Sequence, residues 1–370
     1  MDQGTRQQMP FSPVREFETV LHANLGLPAS HRLDYGIPLA DYGLDSLTAV
    51  NIMGDLEDRF QITFPDERIT HSMFSTAGSL WDALAELLPK WKTLPSAVVA
   101  DVVAAEPLTG GMANDVWRLT LTDGSRLVLK GSSRAPADLF PLEVEGLRAL
   151  GGTGGLRVPR VIEVSARHLL LESMESNLPG TNVFWEAAGR AVAALHSVSA
   201  DRFGWDSDGW LGLLPQENGW LDGGHEFFAE RRILRYVREP KVRQALDSAD
   251  VAGLERICAR LPQLVPPAPG ALNHGDLWRG NIVATAAGEP AFIDPAVCWM
   301  WPESELSMMY CTAPPSEHFF GAYQEVSPLA DGWRERMPLL HLREHLSVLA
   351  HFGAVGDHVE KIRAVIRTFS

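Results

Sequence analysis

Over residues 13–90 the apolar positions recur at helical spacing and are broken by long polar turns. A first helix is predicted near Val14–Leu25, followed by a turn-rich stretch through Gly26, Pro28, Gly36 and Pro38. Leu47, Val50, Met53, Leu56 and Phe60 then repeat every three or four residues, which predicts a second helix from just after Asp45 to about Phe60. A last helix is predicted near Ala77–Leu88. The run Pro89-Lys-Trp-Lys-Thr-Leu-Pro95 ends it, because proline lacks a backbone donor and clashes with the preceding turn.

Beyond about residue 105 the period changes. Trp117, Leu119 and Leu121 alternate with polar residues, Asp123-Gly124 supplies a turn, and Leu127-Val-Leu129 returns, so an antiparallel hairpin is expected. A helix over Leu142–Leu150 and further strands within Val161–Ser173 follow, and residues 184–262 read as mainly helical. Short strands at Asn281–Ala284 and Ala291–Ile293 precede closing helices rich in His, Leu and Glu. The fold class implied is multidomain: an all-α helical bundle (residues 1–90), a linker (91–101), then an α+β bilobal unit with a strand-rich first lobe (102–174) and a mostly helical second lobe (175–370).

Length and charge refine this picture. At 370 residues the chain exceeds what one hydrophobic core organises, and 45% hydrophobic with 21% charged residues is ordinary for globular protein. The net charge is −15, and residues 1–90 hold 13 acidic against 6 basic residues, a net −7. Such a surface repels nucleic acid and anionic membrane and suits basic protein patches, so proteins and small molecules are the expected partners. Three cysteines without C-x-x-C spacing, Cys258, Cys298 and Cys311, point away from a disulfide framework or structural zinc and toward a reducing, cytoplasmic setting. The N-terminal residues carry no apolar signal core, and no run of 18 or more apolar residues suggests a membrane span.

In the second predicted helix, Asp41-Tyr-Gly-Leu-Asp45-Ser46-Leu47 places a serine at the helix start, after an Asp cap and a Gly-containing loop. A hydroxyl there is accessible to a modifying enzyme, and the helix N-terminus tolerates a phosphodiester's charge. Together with the helical layout, the acidic second helix and Phe64-Pro-Asp-Glu67, this segment resembles acyl and peptidyl carrier proteins over residues 13–90. The resemblance implies that Ser46 carries 4'-phosphopantetheine. It also implies a phosphopantetheinyl transferase and acyl-loading enzymes as partners, with Asp55, Glu57 and Asp58 either docking charges or a merely solvated face.

The most informative stretch is Asn273-His274-Gly275-Asp276-Leu277-Trp278-Arg279-Gly280-Asn281, followed by Phe292-Ile293-Asp294-Pro295. Phosphoryl transfer needs a carboxylate beside the acceptor hydroxyl and oxygen ligands that hold magnesium against nucleotide phosphates. Asp276, Asn281 and Asp294 supply that set, in the order of the protein-kinase catalytic loop and metal-binding Asp. Upstream, Gly110 and Gly111 stand at a turn whose backbone N–H groups suit the ATP phosphates. Lys130 ends a strand, and Glu143 is placed to pair with it, Glu145 being the rival. Backbone groups around Glu172–Met174 are placed to hold adenine. Taken singly, His274 also reads as a structural histidine and Lys130 as a strand residue with its head in water.

Residues 105–370 resemble the aminoglycoside phosphotransferase and choline kinase superfamily, and within it the fructosamine kinases. The likeness rests on the H-G-D-L-W-R-G-N run, Phe203-Gly-Trp205, Leu214-Pro-Gln-Glu-Asn-Gly-Trp220, Phe227-Phe-Ala-Glu-Arg231 and Asp294-Pro295. It implies a bilobal protein-kinase-like fold, ATP and Mg2+, and transfer to a hydroxyl of a sugar-like or amine-bearing small molecule. Asp276 becomes the catalytic base, Asn281 and Asp294 the metal ligands, and His274 a brace of the loop. Trp220, Phe227 and Arg231 are candidate acceptor contacts, with core packing as the other reading. Cys298-Trp-Met-Trp-Pro-Glu-Ser-Glu305 departs from the family's pattern, with Glu305 standing where an Asp is usual and bulky tryptophans expected at the acceptor pocket.

Three functions follow as expectations. In the first, the kinase phosphorylates a hydroxyl on an acyl or aminoacyl group tethered to the arm in a natural-product assembly pathway. In the second it acts on a free glycated amine or sugar while the carrier domain recruits it. The third is an inactive docking or acyl-binding module, against which the intact Lys130, Asp276, Asn281 and Asp294 speak.

Overall fold

The structure, a computed structural model, describes residues 13–28, 30–88, 101–108, 115–132, 136–175, 178–313 and 315–370. Gly110 and Gly111, and residues 91–100 of the expected linker, lie outside the described residues. Two compact units are formed, Met1–Arg134 with Arg167–Leu170, and Ala135–Ala166 with Leu171–Ser370.

The first unit opens with helices α1 (Pro13–Leu25), α2 (Ser46–Phe60) and α3 (Ala77–Leu87). Asp45 caps α2, its carboxylate accepting from the Thr48 N–H at 2.8 Å, which satisfies one of the free donors of the first turn. Thr76 and Ser79 form a reciprocal capping box on α3. Phe17, Leu21, Ile52, Leu56, Phe60, Leu80 and Leu84 make the bundle core, with Trp81 edge-on to Phe17 at 5.2 Å. The buried stripe of α2 differs from the expected one: Leu47 and Val50 are 70% and 60% exposed. At 3.6 residues per turn Leu47 stands about 180° around the helix from Leu56, so both cannot face one core.

The same unit holds strands β1 (Val102–Pro107), β2 (Asp115–Leu121) and β3 (Arg126–Gly131), antiparallel in sequence order. The predicted turn is present: Gly124 takes φ +81°, and the Ser125 N–H donates to Asp123 Oδ1 at 2.8 Å. Strands β4 (Val161–Val164) and β5 (His168–Glu172) follow, and the division between the units falls within β5.

The second unit contains α4 (Leu139–Gly151) and α5 (Asn182–His196). Residues 184–262 are mainly helical as expected, but within them lie the short strands β6 (Ser199–Ala200), β7 (Gly209–Leu211) and β8 (Leu214–Gln216). Gly204 and Gly212 take φ +132° and +60° there, conformations that break a helix. A π-helical stretch, Phe228–Leu234, and α6 (Ser248–Leu264) follow. Four short strands come next: β9 (Gly270–Asn273), β10 (Ile282–Ala284), β11 (Pro290–Phe292) and β12 (Cys298–Met300). Helices α7 (Pro302–Cys311), α8 (Glu317–Val326), α9 (Trp333–Leu340), α10 (Leu342–Phe352) and α11 (His358–Phe369) close the chain. The core includes Trp185, Phe228, Tyr236, Phe292, Trp301 and Phe319. Helices α5 and α8 approach so closely that a Cβ at Gly189 would stand 2.2 Å from the Phe319 carbonyl oxygen. The predicted class holds: a helical bundle, then strand-rich and mostly helical parts. Among the described residues no helix is long and apolar enough to cross a membrane.

Candidate active site

Two strand pairs bring the key loops together. Asn273 of β9 is paired with Cys298 of β12, and Ile282 of β10 with Phe292 of β11. The loop from His274 to Asn281 and the loop from Ile293 to Val297 are therefore bounded by the same two pairs, although 18 residues separate Asp276 from Asp294. Further backbone bonds join the loops, the Ala296 N–H donating to His274 O at 2.8 Å and the Ile293 N–H to Asn281 O at 3.1 Å.

Within the first loop, Gly275 takes φ +84°, and a Cβ there would fall 1.8 Å from the Ala296 carbonyl oxygen. Only glycine fits. His274 is fully buried: its Nε2 bonds to the Ile293 carbonyl at 2.9 Å, and its Nδ1 receives the Asp276 N–H at 3.3 Å. A carbonyl only accepts and an amide only donates, so the ring is the neutral Nε2–H tautomer. That is the bracing role the sequence suggested.

Beneath the loop lies Glu305, on the first turns of α7. Its carboxylate accepts from the N–H groups of His274 (3.0 Å) and Gly275 (2.6 Å) and from His196 Nε2 (2.8 Å). His196 Nδ1 bonds in turn to Tyr323 Oη at 2.8 Å. Burial alone would raise the Glu305 pKa, but the His196 hydrogen bond and charge, with His274 and the Gly275 amide, hold it below the usual glutamate range. Glu305, His196 and Tyr323 thus anchor the loop from α7, α5 and α8. Spacing flagged only Glu305; a histidine ending one helix and a tyrosine on another gave no local signal.

Asp276 is half-buried. The Asn281 amide nitrogen donates to its backbone oxygen at 2.7 Å and its Oδ2 at 3.1 Å. Burial pushes the Asp276 pKa up to about 7; Glu344 and Asp294 add to the rise, while Arg343 and the Asn281 hydrogen bond oppose it. Arg343 and Glu344 are themselves buried and paired at 2.7 Å, and Arg343 also donates to Gln216 Oε1 at 3.0 Å. They lie more than sixty residues downstream, where no motif marked them. A carboxylate poised near neutrality suits proton acceptance from a hydroxyl.

Asp294 carries φ +59°, one of two non-glycine residues with positive φ among the described residues, and such backbone strain gathers at functional positions. With the Asn281 nitrogen committed to Asp276, its amide oxygen joins two carboxylates as a set of hard donors. That chemistry fits magnesium.

The other predicted positions fall as follows. Ser46 is exposed at the first residue of α2. Asp55 accepts from Asn24 at 2.7 Å and Glu57 from the Phe64 N–H at 2.7 Å, leaving Asp58 as an exposed acid of that helix. Lys130 is 5% exposed on β3, and Glu143 is half-buried on α4. Its rival Glu145 receives the Trp205 indole N–H at 2.8 Å. The Glu172 carboxylate is held by Arg157 and the Arg160 N–H, and Met174 packs on Val283 and Ala291. Trp220 donates to Asp206 at 3.2 Å, and Arg231 is paired with Glu217 at 3.1 Å. Phe227 is fully buried with the Arg232 guanidinium 4.6 Å over its ring, so it packs the core and offers no surface to an acceptor. Trp301, expected at the acceptor pocket, is likewise core, packed on Phe203, His225 and Phe228.

Residues 89–369 match the sequence profile of the fructosamine kinases. The chain belongs to the fructosamine kinase family. Residues 16–84 match the phosphopantetheine attachment site profile, so a carrier domain precedes the fructosamine kinase domain. A probable ketoamine kinase of Synechocystis is 34% identical over 258 residues, covering 67% of this chain and 84% of its own. A chloroplastic protein-ribulosamine 3-kinase of Oryza sativa is 28% identical over 285 residues, covering 75% and 82%. A Thermobifida fusca crystal structure described as a candidate fructosamine-3-kinase is 36% identical, with a TM-score of 0.65 over 72% of this chain and 94% of its own. This fructosamine kinase family member is thereby an enzyme, a phosphotransferase with an alcohol group as acceptor.

Proposed function

We propose that the kinase domain phosphorylates a hydroxyl of an acyl or aminoacyl group held as a thioester on phosphopantetheine at Ser46, within a natural-product assembly pathway. The observation that carries this reading is the presence on one polypeptide of an exposed, helix-capped Ser46 and the braced Asp276 loop. Covalent union gives the arm an effective concentration on the order of millimolar near the kinase, which a free carrier reaches only at high expression. The phosphate then serves as a protecting or a leaving group.

The roles assigned are those the motif order and the family resemblance imply. Asp276 takes the proton of the acceptor hydroxyl, and Asn281 and Asp294 hold magnesium. Lys130 is assigned to the nucleotide phosphates, Glu143 to holding that lysine, Gly110 and Gly111 to the phosphate-facing turn, and the backbone at Glu172–Met174 to adenine. Bound ATP with magnesium supplies the phosphoryl group and neutralises its charge. Residues 1–90 are the carrier domain, 91–101 the linker, 102–174 the first lobe and 175–370 the second. The partners are a phosphopantetheinyl transferase and acyl-loading enzymes, in the cytoplasm.

The relatives named ketoamine kinases favour a second reading, in which a free ketoamine is the acceptor and the carrier domain recruits the enzyme. ADP release separates the two. Holo-protein loaded with a hydroxyacyl or aminoacyl group should release about one ADP per loaded arm in the absence of any free acceptor; ADP release with free ketoamine alone would replace the first reading by the second.

A further inference from the structure

Two indole N–H groups from one short segment reach the same helix. Trp205 Nε1 donates to Glu145 Oε1 at 2.8 Å, and Trp210 Nε1 donates to Asp138 Oδ1 at 3.1 Å. Asp138 stands at the N-cap of α4 but makes no side-chain cap bond, so its carboxylate is spent on Trp210. The two acceptors are seven residues apart, close to two turns, and therefore share a face of the helix. Adjacent to Glu145, Gly146 rests on the loop that follows Asp294: a Cβ there would meet Pro295 Cγ at 3.1 Å and Val297 Cγ1 at 3.5 Å. Trp205 is itself tied to the strand after that loop, its ring stacked on Trp299 at 6.4 Å and 28°. Backbone bonds between Gly204 and Trp299, at 3.1 and 2.8 Å, run in both directions. Glu143 lies between the two pinned positions.

We infer that Trp205 and Trp210 are positioning residues that fix α4, and with it Glu143, against the Asp294 loop. This rests on the roles proposed above for Glu143 and Asp294. Both bonds lie where the acidic partner is exposed, so their product is orientation rather than burial. Indole to carboxylate is a charge-assisted bond with a directional donor, and a ring clamped by stacking holds that direction.

The test uses the full holo-protein with Trp205→Phe, which keeps a stacking ring and deletes the donor, Trp210→Phe, Glu145→Ala and Glu145→Gln. Hydrogen exchange of the amides of residues 139–151 should quicken about tenfold in Trp205→Phe and Glu145→Ala, and their combination should add nothing further. The KM for ATP should rise about fivefold with the acceptor KM unmoved, and Glu145→Gln, which keeps an acceptor oxygen, should restore both readings. Unchanged exchange in α4 would overturn the inference whatever happens to activity. Faster exchange with an unchanged KM for ATP would reduce the clamp to a merely structural contact and overturn it as well. Separately, nucleotide affinity unaltered in Glu143→Ala and Asp294→Ala would sink the assigned roles without touching the exchange result.

Discussion

Gly275 shows how little freedom the site allows a single residue. Its φ of +84° and the Ala296 carbonyl 1.8 Å from where a Cβ would sit make Gly275→Ala a displacement of one loop against the other. We expect it to cost at least about 2 kcal/mol in denaturant unfolding of the kinase domain and to remove most activity. Asp276→Asn should act in the opposite sense on the two properties. Losing the base lowers kcat about 10²–10⁴-fold, while replacing a carboxylate that burial disfavours leaves the melting temperature unchanged or higher. A fall in both would mean that Asp276 holds the loop together rather than accepting a proton.

At the level of elements, α2 and the Glu305 anchor make contrasting predictions. Asp45→Ala removes the cap below Ser46 and should loosen the helix start, read as faster hydrogen exchange in the first turn of α2. Glu305 is a pH-dependent anchor. Its folded pKa is lowered, so its stabilisation is complete above the unfolded value of about 4.3 and is lost as pH falls through the folded value. Glu305→Gln, which keeps one acceptor oxygen where the carboxylate has two, should be less stable than the parent at pH 7, the gap closing below about pH 4. A gap independent of pH would show that the His196 hydrogen bond is not what holds Glu305 ionised.

The helices of the bundle, the hairpin at Asp123-Gly124 and α4 were legible because their apolar periods run long enough to be distinct. Strands β9 and β12 were not: each is three or four residues, too short to show a period, and their pairing is decided by tertiary contact. Within the mainly helical stretch 184–262, the short strands of residues 199–221 show no period of their own, and Gly204 and Gly212 mark their turns only through positive φ. In the site, the loop residues stood out through spacing. Arg343, Glu344, His196 and Tyr323 did not, since they reach the loop from distant helices and no local pattern encodes such an approach.

Over the whole molecule, both portions are acidic and differ in chemistry. The carrier portion presents Ser46, Leu47 and Val50 on an exposed helix start, while the kinase portion buries the Arg343–Glu344 pair whose charges act on Asp276. Neither half explains the fusion alone: a ketoamine kinase needs no carrier, and a carrier needs no base. The most direct measurement is intact-protein mass spectrometry of holo-protein loaded with hydroxyacyl or aminoacyl groups, before and after ATP and magnesium, with Ser46→Ala and Asp276→Asn alongside. One phosphoryl group gained on the ejected arm fragment, and absent from both variants, is the result predicted. Loaded arms that stay unphosphorylated while a free ketoamine is converted would contradict it.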